Sequence, residues 1–204
     1  MAQLFSGGVR RALARIVVAL CRVHLCADSA RPDQFSSPTI FYANHTSHLD
    51  FLVLWAMLPL RERIRPVAAK DYWSSFPRAL PARLFHAYLV DRSGKRKKNQ
   101  IKGMNEVLTR GESLLIFPEG TRGDGRALGH FHRGIYLLAK QNPQVPVVPV
   151  RLQDLGKILP KGHHLPLPHK SSVCFCSPLS LRPGESQISF LRRARAALLP
   201  TSGS

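Results

Sequence analysis

The chain has 204 residues, 44% apolar and 21% charged, which suits one domain with a real core and excludes disorder by composition. Thirty Lys and Arg against twelve Asp and Glu give a formal net charge of +18. That charge calls for an anionic partner or surface, either nucleic acid or phospholipid.

Residues 4–26 read as an amphipathic helix. At about 100° per residue, Arg11, Arg15 and Arg22 share a narrow sector opposite Phe5, Val9, Leu13, Ile16, Leu20 and Val23. The pattern fits a segment lying in a membrane interface, and equally a helix packing its apolar side on its own domain. Domain organisation follows: 1–30 as the interface helix, 31–204 as one α/β domain. No run reaches the about 20 apolar residues a span needs. Ile16 to Cys26 is broken by Arg22 and His24, and Phe51 to Leu60 is ten residues long with Pro59 inside it. Arg22 also argues against a cleaved signal.

A linker over 28–38, with Pro32 and Pro38, precedes a short strand at 39–42. Strands are then expected at 65–69, 87–91, 113–117, 145–150 and 172–176. Helices are expected at 47–58, 71–85 (broken by Pro77 and Pro81), 97–108, 134–141 and 188–199. This alternation predicts a mostly parallel sheet covered by helices on both faces. Such sheets bind ligands in the loops beyond the strands' carboxyl ends, here after Tyr42, Ala69, Asp91 and Phe117.

The four cysteines, Cys21, Cys26, Cys174 and Cys176, fit no common zinc spacing and are too few for a disulfide scaffold. Four reduced thiols in a cytosolic protein are expected, and the Asn44-His45-Thr46 sequon is then an accident. His163, His164 and His169 have no partner carboxylate nearby in the sequence, so no metal site is expected.

Four polar groups stand at those strand ends. In Ala43-Asn44-His45-Thr46-Ser47-His48-Leu49-Asp50, Ser47 can cap a helix and Asp50 can complete a capping box. The same geometry lets Asp50 accept from one nitrogen of His45, leaving the other to take a proton from a hydroxyl. Phe117-Pro118-Glu119-Gly120-Thr121-Arg122 makes a sharp turn with a carboxylate, a hydroxyl and a guanidinium, suited to an anion. The plainer reading is a surface turn with a Glu–Arg pair. Lys70 and Asp91-Arg92 add two cations on the same side, and three converging cations suit a phosphate.

Asn44-His45-x-Ser47-x-x-Asp50 resembles the first block of the glycerolipid acyltransferases of the lysophosphatidic-acid, or 1-acylglycerol-3-phosphate, type. Phe117–Arg122 resembles their third block, and Val145-Pro146-Val147-Val148-Pro149-Val150 their fourth. The likeness spans roughly residues 35–155. The second block departs from the pattern: His86 stands where Gly is usual and Leu89 where Phe is usual, with Arg92 kept. His132-Arg133-Gly134 replaces a frequent Lys-Lys-Gly.

The resemblance implies a glycerol-3-phosphate acyltransferase-like fold. It also implies acyl transfer from a thioester, acyl-CoA or acyl carrier protein, to a lysophospholipid hydroxyl. The foremost acceptor is 1-acyl-sn-glycerol 3-phosphate, giving phosphatidic acid. It implies His45 as base and Asp50 as its orienting partner, with Glu119, Gly120, Thr121 and Arg122, joined by Lys70 and Arg92, at the substrate phosphate. No metal or bound cofactor is implied. The residues agree with direct attack by the substrate hydroxyl, since no G-x-S-x-G elbow is present and no Cys lies near His45 in sequence.

Residues 61–110 hold 13 Lys or Arg against 4 Asp or Glu, which suits a peripheral protein on an anionic membrane at its cytoplasmic face. Another lysophospholipid or a lyso-amino-acid lipid is the alternative acceptor. A basic nucleic-acid-binding domain is the reading from another class, supported by Lys95-Arg96-Lys97-Lys98. No RNP-type aromatic pattern, zinc knuckle or basic zipper accompanies that run, and no nucleic-acid partner is expected. A catalytically silent surface module is opposed by the intact His45 and Asp50.

Overall fold

A computed structural model of the chain describes residues 8, 12–13, 15–19, 22–47, 49–58, 63–74, 79–91, 97–158 and 169–200. Seven strands form one sheet: β1 (Val23–Leu25), β2 (Ile40–Ala43), β3 (Ile64–Ala69), β4 (Tyr88–Val90), β5 (Ser113–Ile116), β6 (Val147–Gln153) and β7 (Ser171–Phe175). Their spatial order is β1-β7-β6-β2-β5-β3-β4. Every pairing is parallel except β6 with β7. Among the described residues the helices are α1 (Asp50–Met57), α2 (Lys70–Trp73), α3 (Ala79–Leu84), α4 (Lys97–Thr109), α5 (Gly134–Gln141), α6 (Leu155–Ile158) and α7 (Gln187–Ala196), with helical turns within 8–19.

The central strands are apolar throughout because both faces are covered. Alternate residues of one strand go to opposite layers. Phe41, Ala43, Leu115, Val148 and Val150 meet Val53 and Leu54 of α1 and Leu58 just beyond it, with Leu155 and Ile158 of α6. Ile40, Tyr42, Leu114, Ile116 and Val147 meet Met104 and Leu108 of α4, Ile135 and Leu138 of α5, and Phe190 and Ala194 of α7. The expected α/β architecture is therefore what the chain adopts.

Two expectations are corrected. The helix expected through residue 26 gives way to β1, an edge strand pairing Val23, His24 and Leu25 with Ser171, Ser172 and Val173. Arg22 precedes it as a turn with φ of 42°, so it leaves the arginine sector of the helix. Helical spacing in Val23-His24-Leu25 is overridden by an open sheet edge that offers backbone partners. The α/β domain thus begins ahead of residue 31.

The second correction follows from the first. With Leu25 opposite Val173, the next residues, Cys26 and Cys174, face each other and are joined as a disulfide across 148 residues. Spacing along the chain carries no trace of that register. Cys176 keeps a free thiol whose pKa burial pushes up. Buried Arg151 of β6 lies beside the bridge, 3.5 Å from the Cys174 sulfur and 3.9 Å from the Asp28 carboxylate. Cys21, His163 and His164 lie outside the described residues. His169 stands 4.0 Å from Asp154.

Candidate active site

Four strands that end in the polar groups of the sequence, β2, β5, β3 and β4, are consecutive in the sheet and mutually parallel. Their carboxyl ends therefore open side by side. His45 follows β2, the Phe117–Arg122 turn follows β5 and Lys70 follows β3 directly. Arg92 lies outside the described residues, two positions beyond the end of β4. Neighbouring strands lie about 4.8 Å apart, so Lys70 stands roughly 10 Å across the sheet from the β2 end.

Asp50 is the first residue of α1 and is fully buried. Its Oδ2 accepts from His45 Nδ1 at 2.9 Å, from the Thr46 amide at 2.6 Å and from the Ser47 amide at 2.8 Å. Ser47 Oγ accepts from the Leu49 amide at 3.2 Å. One carboxylate oxygen thus makes the contact to His45 that the sequence expects and half of a capping box, accepting from the Ser47 amide, while Ser47 Oγ serves the Leu49 amide and not that of Asp50. A helix N-terminus also favours a negative charge there. A carboxylate only accepts, so Nδ1 carries the proton and donates it to Asp50. Nε2 then presents a lone pair, and it has no hydrogen-bond partner among the described residues. The His45 side chain is 21% exposed, enough for a reactant to reach it.

The turn after β5 holds the rest of His45. The His45 amide donates to Glu119 Oε1 at 2.9 Å, and the His45 carbonyl accepts from the Gly123 amide at 2.8 Å. The imidazole stacks on Phe117, ring centres 4.2 Å apart and planes 22° from parallel. Glu119 is buried, and its Oε2 accepts from the Gly129 amide at 2.7 Å. It forms no ion pair with Arg122 among the described residues, which sets aside the plain surface-turn reading. Arg122 is half-buried, and none of its five donors makes a hydrogen bond or ion pair with a described residue. Gly120 takes φ of +70°, and a Cβ there would meet the His132 ring at 3.0 Å. Thr121 and Lys70 are exposed.

Sequence reasoning passed over Asn44, Phe117, Gly123, Gly129 and His132 as site residues. Asn44 is buried and exchanges two hydrogen bonds with the Leu152 backbone, fastening the end of β2 to β6. That burial also removes it as a glycosylation acceptor. Its place inside the first block was a signal; nothing local marked Gly129.

Residues 22–153 match the Acyltransferase family model. The chain belongs to the Acyltransferase family. It is 35% identical over 119 residues to the human 1-acyl-sn-glycerol-3-phosphate acyltransferase alpha, covering 56% of this chain and 40% of that protein. It is 32% identical over 150 residues to the lyso-ornithine lipid O-acyltransferase of Rhizobium meliloti (strain 1021), covering 72% of this chain and 47% of that one. The matches thus span less than half the length of these curated relatives. In fold it is similar to the crystal structure of the 1-acyl-sn-glycerophosphate (LPA) acyltransferase PlsC from Thermotoga maritima. There the TM-score is 0.70 at 18% identity, over 94% of this chain and 79% of that one.

His86, the residue standing where the resemblance expects Gly, takes a φ of 51°, the left-handed region that glycine enters without cost.

Proposed function

We propose that the protein transfers a fatty acyl group from an acyl thioester to the free hydroxyl of a lysophospholipid, foremost 1-acyl-sn-glycerol 3-phosphate. The observation that carries this is the His45–Asp50 pair, with Nδ1 tied to a buried carboxylate and Nε2 open. Nε2 takes the acceptor's hydroxyl proton as the oxygen attacks the thioester carbonyl carbon. Asp50 supports the imidazolium that forms. Collapse of the tetrahedral adduct breaks the C–S bond, and the imidazolium returns the proton to the departing thiolate. The products are the acylated lipid and the free thiol of coenzyme A or acyl carrier protein. Arg122 and Lys70, with Arg92, serve the acceptor phosphate. No metal enters the scheme.

The reaction belongs at a membrane surface, because a long acyl chain holds its lipid there by about 0.8 kcal/mol per buried methylene. The excess of cations suits an anionic leaflet, and we place the protein peripherally on such a surface; the Cys26–Cys174 bridge argues against the reducing cytoplasmic face expected from the sequence. No helix among the described residues is long and apolar enough to cross a membrane. Leu13 is 38% and Ile16 54% exposed while Val17 packs into the core, so the N-terminal turns leave an apolar edge uncovered. Family membership favours this reading over a nucleic-acid-binding role. A lyso-amino-acid lipid is the second acceptor to consider. The relative named for such a lipid aligns over more of this chain than the human relative does.

The test is an acyl-transfer assay crossing phosphate and amino-acid lyso-acceptors with coenzyme A and carrier-protein donors. His45→Ala serves as the inactive control and Arg122→Ala as the probe of the phosphate. Loss of a charge-assisted bond is worth roughly 1.5–3 kcal/mol. Arg122→Ala should therefore raise the KM of a phosphate acceptor by about 10- to 150-fold and leave the thioester's KM nearly unmoved. A change confined to the thioester would show that the phosphate lies elsewhere.

A further inference from the structure

We propose that Glu119 is a positioning residue for His45 and does not contact the acceptor. This rests on the reading of His45 as the base, and it departs from the role that the block resemblance assigns to Glu119.

Glu119 is 7% exposed, and both carboxylate oxygens are already engaged by backbone amides. Oε1 accepts from His45 at 2.9 Å and Oε2 from Gly129 at 2.7 Å. The side chain is thus held between the loop after β2 and the loop at residue 129. Its charge argues the same way, since a carboxylate beside a substrate phosphate would oppose the three cations gathered for it. The carboxylate instead stabilises two buried amides with charge-assisted bonds.

The consequence falls on the imidazole. Glu119 holds the His45 amide, Gly123 holds its carbonyl, Phe117 backs its ring and Asp50 holds Nδ1. Three of these four constraints come from residues 117–123, one turn on the neighbouring strand. The Gly129 amide ties the far side of that carboxylate to the loop leading into α5. Gly129 is needed there because a Cβ would sit 2.9 Å from Oε2. The third block therefore does two separable things: Arg122 faces the reactant, and Glu119 fixes the line along which Nε2 meets the hydroxyl.

The experiment compares Glu119→Gln and Gly129→Ala with the wild type for kcat, acceptor KM and melting temperature. Gln keeps the shape but offers one oxygen where two are used, so one amide loses its acceptor. Gly129→Ala leaves the carboxylate in place and displaces it, which keeps the test alive should Glu119→Gln not fold. Misplacing a reacting group by about 1 Å can cost about 10²-fold. Glu119→Gln should lower kcat by about 10- to 100-fold, and Gly129→Ala by a smaller factor, both with acceptor KM within about twofold. A rise in acceptor KM, with or without a fall in kcat, would assign Glu119 to the acceptor and overturn the proposal. Unchanged kcat in both variants would overturn it too. Full activity in His45→Ala would defeat the base assignment itself, which separates that failure from this one.

Discussion

Asp50→Asn is the substitution that asks most of the site, because one oxygen of Asp50 does two jobs. Oδ2 accepts three N–H groups, from His45 Nδ1, Thr46 and Ser47, and the residue is fully buried at the start of α1. Asn can keep an oxygen there, so the loop retains acceptors. Each bond, however, falls from the charged class, about 1.5–3 kcal/mol, to the neutral class, about 0.5–1.5 kcal/mol. The new amide nitrogen would occupy the Oδ1 position, which is buried and lacks a partner among the described residues. An unsatisfied buried donor costs about 1–3 kcal/mol. Removal of a buried charge offsets part of the sum, and a net loss of about 1–3 kcal/mol in stability is expected. Activity should suffer more. Without the carboxylate nothing stabilises the imidazolium, and kcat should drop by roughly 10²–10⁴, the scale of general-base help. Ser47→Ala is the control: it removes the Oγ that accepts from Leu49 but leaves the His45–Asp50 contact. It should cost about 1 kcal/mol of stability and little kcat. Steady-state kinetics beside denaturant melts decide the matter. If Asp50→Asn keeps kcat within threefold of wild type while melting falls, Asp50 is a helix cap and the base assignment is refuted.

Gly103 lies mid-helix in α4, where glycine costs about 1 kcal/mol relative to alanine. A Cβ there would nonetheless fall on the Tyr88 hydroxyl, so Gly103→Ala should destabilise by about 1–3 kcal/mol. A more stable variant in urea melts would refute that packing. Paired hydrogen bonds from Arg193 hold the Glu185 carboxyl down at about 2, and those from Arg65 lower that of Glu112. A carboxyl whose folded pKa lies below its ordinary 4.5 stabilises the fold above that value and loses the contribution as pH falls through the folded one. Melting temperature should therefore fall between about pH 4.5 and 2, and Arg193→Gln should flatten part of that fall. At neutral pH the same variant should lose about 1–3 kcal/mol, since it leaves the Glu185 carboxylate, only 4% exposed, without its guanidinium. Parallel wild-type and variant profiles across the acid window would count against it.

Elements with their own periodicity were legible in the sequence. The runs at 113–117 and 145–150, and the helices at 97–108 and 188–199, sit where alternation and spacing put them, within a few residues. Elements fixed by a distant partner were not. β1 exists because β7 leaves an edge open beside it, and its three residues look helical on their own. The Cys26–Cys174 bridge needs that register before it can be imagined. α6 is four residues long, too short for any period to show. The His45–Asp50 pair was legible because both members lie within one loop and one helical turn, so local geometry settles their contact.

The third block shows where legibility stops. Glu119 and Arg122 are three residues apart in one turn and are both charged, and on the page both look like ligands for a polar substrate. Burial separates them. Glu119 spends both oxygens on backbone amides from two other segments, whereas Arg122 has none of its donors taken among the described residues. The partners that make the difference, the amides of His45 and Gly129, are 74 and 10 residues away. A backbone amide carries no residue-type signal, so nothing in the composition of the turn could tell the charge that the fold engages from the one that no described residue does. His86 makes the converse case. There the side chain departs from the glycine of the block, yet His86 stands at a φ of 51°, in the left-handed region that glycine enters without cost. The residue type states neither the conformation at His86 nor the contacts of Glu119; both are set by the backbone around them.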